Sequence, residues 1–94
     1  MNRFEMISLD KAKEMAMENG YIVVDLRSTS EFAQSHVENA INIPDADINK
    51  IDSFGKKDSV WILYCRRGSL SFRLASEMSS KGYKVMAVVG GYRM

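Results

Sequence analysis

Residues 59–78, "SVWILYCRRGSLSFRLASEM", decide how the rest of the chain reads. "VWILY" is apolar and aromatic throughout, the composition of a strand buried on both faces of a parallel sheet. The run ends at Cys65, and the charged and small residues Arg66, Arg67, Gly68 and Ser69 make a loop. Apolar residues then return at helical spacing, Leu70, Leu74, Ala75 and Met78, with Lys81 in the last turn and Gly82 as the stop. Strand, short loop and helix form half of a β-α-β unit, and "KVMAVV" supplies the strand that follows.

Upstream segments repeat the alternation. "FEMI" reads as a first strand, and Ser8 caps a helix whose Ala12, Met15 and Ala16 share a face until Gly20 ends it. "YIVVDLR" is an apolar, β-branched run that delivers Asp25 and Arg27 to its C-terminal end. "STSEF" offers an N-cap for a short helix reaching about Ser35, "AINIP" is a third strand stopped by Pro44, and residues 45–54 hold one or two helical turns. The expectation is an α/β fold with a mainly parallel five-stranded sheet, residues 1–94 forming one domain.

Bulk properties narrow the function. A 46% hydrophobic and 27% charged composition is that of a soluble globular protein, and the net charge is only +1. Acids and bases are interspersed, as in "DKAKEMAMENG", rather than gathered into the basic stripe of a nucleic-acid binder, so no nucleic-acid partner is expected. The longest apolar runs are strand-sized, so no membrane role is expected either. A single cysteine forms no internal disulfide, and "MNRFEMISLDKAKEM" has no apolar core of a secretory signal, which points to the cytoplasm. Cys65 and His36 are the only cysteine and histidine and lack a recognisable metal-binding spacing, so neither metal nor cofactor is expected.

The position of Cys65 is chemically informative. A loop between a buried strand and the start of a helix is where ligands bind in open parallel sheets. Backbone N–H groups at the helix start, with Arg66 and Arg67 beside them, favour the thiolate over the thiol. Gly68 lets the loop curl with its amides inward, and the hydroxyls of Ser69 and Ser71 either cap the helix or donate to a bound anion. A cysteine serving only as a small core residue belongs within the apolar run, whereas this one ends it.

The segments "VVDLRSTSEF", "HVENAINIP", "YCRRGSLS" and "GGY" give nearly the whole chain a resemblance to the rhodanese-like domains, the single-domain sulfurtransferases. That resemblance implies a three-layer α/β/α architecture and a Cys65 that carries a persulfide above a loop of backbone amides, residues Arg66, Arg67, Gly68, Ser69, Leu70 and Ser71. It implies a small anionic sulfur donor such as thiosulfate and, as acceptor, cyanide, a thiol or a protein. Asp25 and Arg27 match a D-x-R pair that supports the site from a neighbouring strand, although a purely structural ion pair is an equal reading. His36 matches a structural histidine, and Asn39 replaces a glycine at a position where asparagine also accepts left-handed backbone angles.

The chain departs from the family in two places. Leu70 stands where many members have arginine, which makes the donor site less cationic, although Arg73 lies one turn on. The usual tryptophan and final helix after "GGY" do not follow, so the helix layer on that face is expected to be thin. A phosphatase loop of the form C-x5-R needs arginine where Ser71 stands. The remaining rival is a non-catalytic module that binds a protein or senses oxidants through Cys65.

Overall fold

The computed structural model describes residues 4–92 and alternates strands with helices: β1 (Glu5–Ile7), α1 (Leu9–Met15), β2 (Tyr21–Asp25), α2 (Thr29–Gln34), β3 (Ile41–Asn42), α3 (Ile48–Asp52), β4 (Val60–Tyr64), α4 (Ser69–Ser80) and β5 (Lys84–Val88). Of the segment "GGYRM", the final Arg93 and Met94 lie outside the described residues. The expected caps are present: the Ser8 side chain accepts from the Lys11 amide, and Ser28 forms a capping box with Glu31 at α2. Asn39 adopts φ +72°, the left-handed geometry its side chain tolerates.

The strands form one sheet in the order β1-β5-β4-β2-β3, every described pairing parallel. β4 is central, which is why all of "VWILY" except its first residue is buried. Side-chain alternation divides the core into two layers. Trp61, Leu63 and Cys65, with Val24, Leu26, Val85 and Ala87, face α3 and α4 through Ile51, Leu74, Ala75 and Met78. Ile62 and Tyr64, with Val23 and Val88, face α1 through Ala12 and Ala16, and Phe32 of α2 packs on the same cluster. The second layer is the thinner, its helices running seven and six residues against twelve in α4.

The connections set the position of the site. From β2 the chain crosses by α2 outward to β3, and from β4 it crosses by α4 outward to β5 on the other side. The β2 and β4 loops therefore diverge at their C-terminal ends, and the switch of direction leaves a crevice between them.

Candidate active site

Cys65 is the first residue beyond β4 and is 5% exposed. Gly68, at φ +98°, turns the loop back so that its N–H donates to Cys65 Sγ at 3.0 Å. The Ser71 amide in the first turn of α4 donates to the same sulfur at 3.5 Å, and its hydroxyl lies 3.6 Å away. Burial pushes the thiol pKa up, but the amide and hydroxyl of Ser71 and the amides of Gly68 and Arg67 outweigh it, so the net shift is below the ordinary value of 9.0. Of the two influences expected from the sequence, helix-start amides and arginine charges, the amides together with the Ser71 hydroxyl lower the thiol pKa. Arg66 turns its guanidinium away to Glu31, with Nη2 2.7 Å from Oε2.

Over the sulfur opens a cavity of about 390 Å³ between the ends of β2, β3 and β4. Arg66, Arg67, Ser69 and Leu70 line it with Cys65, while Gly68 and Ser71 lie beneath the sulfur and hold it. Neither serine caps α4: its N-cap is Gly68, without a side-chain cap, and the Ser71 hydroxyl donates to the Gly68 carbonyl at 2.9 Å. Leu70 packs partly into the core from the cavity wall. A larger cleft of about 720 Å³, which includes Phe4, Tyr83 and Met86, opens at the N-terminal ends of β4 and β5. It lies at the opposite end of the strands from the thiol, so position at the C-terminal strand ends, not size, identifies the site.

Asp25 and Arg27 are both buried and form a two-point ion pair: Nη2 donates to Oδ2 at 2.7 Å, and Nε lies 3.1 Å from both carboxylate oxygens. The Arg27 amide also donates to Asp25 Oδ1 at 2.8 Å, which fixes the turn leaving β2. Arg27 borders the cavity and Asp25 stands behind it, so the pair forms a buried wall beside the thiol. His36 is exposed, stacks on Phe32 at 3.7 Å and bonds through Nδ1 to the Phe32 carbonyl at 2.7 Å, outside the cavity lining.

Several contributors are not apparent from the sequence alone. Glu31 and Asp45 complete the rim. The Tyr92 amide donates to the Cys65 carbonyl at 2.8 Å, and its ring centroid lies 4.2 Å from Arg27 Cζ. Gly91 makes this approach possible, because a Cβ there would lie 2.3 Å from the Arg66 carbonyl oxygen. The tandem glycine in "GGY" was the available signal, but not its target.

Comparison with known proteins agrees with this geometry. The Rhodanese-like domain family matches residues 8–93. The thiosulfate sulfurtransferase GlpE of Haemophilus influenzae is 32% identical over 90 residues, covering 95% of this chain and 85% of that protein. The reduced CoADR-RHD of Bacillus anthracis superposes with a TM-score of 0.80 at 26% identity, over 94% of this chain and 16% of that larger one. A rhodanese-like domain protein of Staphylococcus aureus shares the fold at a TM-score of 0.74 and 23% identity, over 94% and 87% of the two chains.

Proposed function

The chain belongs to the rhodanese-like domain family, a family of sulfurtransferases, and from that premise we propose that Cys65 carries sulfane sulfur from a donor such as thiosulfate to cyanide or a thiol. The observation that carries the reading is the Cys65 sulfur held by the Gly68 and Ser71 amides beneath a cavity at the C-terminal end of β4. The thiolate attacks the outer sulfur of thiosulfate; one S–S bond forms, the donor S–S bond breaks, and sulfite leaves with the bonding pair. Cyanide or an acceptor thiolate then attacks the terminal sulfur of the Cys65 persulfide, which releases the Cys65 thiolate and the sulfurated acceptor.

The loop's residues divide the work. The amides of Arg67, Gly68 and Ser71 stabilise anionic sulfur and need no reorganisation as charge moves between the two sulfurs. Arg67, Ser69 and Leu70 contact the donor, with Arg66 at the mouth, and the Asp25–Arg27 pair supports the loop from β2. Residues 1–94 act as one domain, with no metal or cofactor in the reaction. A lone catalytic thiol suits a reducing compartment such as the cytoplasm. Among the described residues no helix is long and apolar enough to cross a membrane.

The experiment is incubation with thiosulfate, intact-mass detection of one added sulfur, and thiocyanate release on addition of cyanide, with Cys65→Ser in parallel. Persulfide and turnover present in the wild type and absent in the variant support the proposal. A wild type that gains no sulfur and makes no thiocyanate favours a non-catalytic module that binds a protein or senses oxidants.

A further inference from the structure

Both carboxylate oxygens of Glu31 are engaged. Oε1 accepts from the Ser28 amide at 3.2 Å and the Ser28 hydroxyl at 3.0 Å, which closes the capping box of α2. Oε2 accepts from Arg66 Nε at 2.8 Å and lies 2.7 Å from Nη2. Arg66 is therefore pinned across the mouth of the Cys65 cavity, from the β4 loop to the β2 loop. Its side chain remains 66% exposed, and an exposed ion pair of this kind contributes little to stability. It does change the field met by an anion approaching within a Debye length of about 8 Å.

The charges around the cavity cancel in pairs. Arg27 is neutralised by Asp25 and Arg66 by Glu31, which leaves Arg67 and Asp45 with opposite signs on the rim. Arg67 makes no ion pair among the described residues, and Leu70 adds an uncharged wall. Two consecutive arginines thus yield no excess positive charge at the mouth.

We propose that Glu31 is a specificity-determining residue: by binding Arg66 it removes the excess positive charge from the mouth and weakens the site's preference for anionic sulfur donors, thiosulfate included, over uncharged ones. The proposal rests on the sulfur-transfer reading for its biological meaning, whereas its charge argument concerns only access of anions to Cys65.

The test measures alkylation of Cys65 by anionic iodoacetate and by neutral iodoacetamide, followed by intact mass at low ionic strength. The wild type is compared with Glu31→Gln, Arg66→Met and the double variant. Glutamine keeps the Oε1 acceptor that the capping box uses and loses the charge together with the Oε2 acceptor that holds Arg66. The ratio of the two rates cancels any change in thiolate fraction or loop mobility. It is expected to rise about threefold in Glu31→Gln, to fall below wild type in Arg66→Met, and to return toward wild type in the double variant. Added salt should erase the differences. The thiosulfate KM should fall in Glu31→Gln by a similar factor. An unchanged ratio in Glu31→Gln, or an equal rise in the double variant, overturns the proposal even if thiosulfate sulfur is transferred. A ratio that responds as expected in a protein that takes no sulfur from thiosulfate leaves the proposal standing and removes the donor assignment instead.

Discussion

Gly91→Ala is expected to destabilise the protein by about 3 kcal/mol through a contact that has no counterpart in the local sequence. A Cβ at Gly91 would lie 2.3 Å from the Arg66 carbonyl oxygen, 2.5 Å from its carbon and 2.6 Å from the Cys65 carbonyl oxygen. All three are backbone atoms of the loop that holds the thiol, so no side chain can swing aside. Real Cβ contacts essentially never fall below 3.0 Å, so the "GGY" segment must retreat by at least about 0.7 Å. The retreat stretches the 2.8 Å bond from the Tyr92 amide to the Cys65 carbonyl, worth about 1 kcal/mol. Alanine at φ +75° costs about another 1–2 kcal/mol, and loosening Tyr92 from Arg27 about 0.5–1 kcal/mol. For a domain of this length the total corresponds to a fall in Tm of about 10–20 °C. Thermal unfolding followed by circular dichroism measures it, with Gly55→Ala as the control, because Gly55 has φ +65° and open space around its Cβ position. A Gly91→Ala midpoint no lower than that of Gly55→Ala would refute the close-approach argument and leave only backbone strain.

Other consequences are equally direct. Arg27→Met leaves the fully buried Asp25 carboxylate without its partner and should cost about 3–5 kcal/mol in urea unfolding; a loss under about 1 kcal/mol would show the pair to be dispensable. The Cys65 thiol has a folded pKa below its ordinary 9.0, so thiolate absorbance should titrate earlier than in the urea-unfolded chain. Between the two pKa values the folded state binds fewer protons, so the stability from this group is full above the unfolded value and is lost as pH falls through the folded one. Cys65→Ser should abolish that pH-dependent increment, and an unchanged stability profile would count against it.

What the sequence disclosed and what it hid follow from the range of the interactions. The strand "VWILY", the helix beginning near Ser69 and the Ser8 cap depend on periodicity or on contacts within four residues, and all were legible. So was the placement of Cys65 between strand and helix, because the end of an apolar run is a local signal. The source of its acidity was half legible: a helix start could be read, but the Arg66 side chain is held by a residue 35 positions away. Ser69 and Ser71 were expected to cap α4 or meet an anion, and only the folded loop shows Ser71 turned inward to the Gly68 carbonyl. The role of Gly91 and Tyr92 was invisible for the same reason. Their backbone partners lie on the β4 loop and the Tyr92 ring's partner Arg27 on the β2 loop, both of which only the sheet order brings beside the end of β5.

The outer strands carry a consequence for crowded solution. A parallel sheet ends in two rows of unpaired peptide groups, each a template onto which another chain can add a strand. Here one margin is β3, two residues long, and its Asn42 side chain spends its amide on the Asp25 and Arg27 carbonyls at 3.0 Å each. The opposite margin is β1, three residues long and led by Glu5. Neither ribbon is long enough to nucleate a stable intermolecular ladder, so the sheet is blunted against edge-to-edge aggregation without a covering helix or a closed barrel.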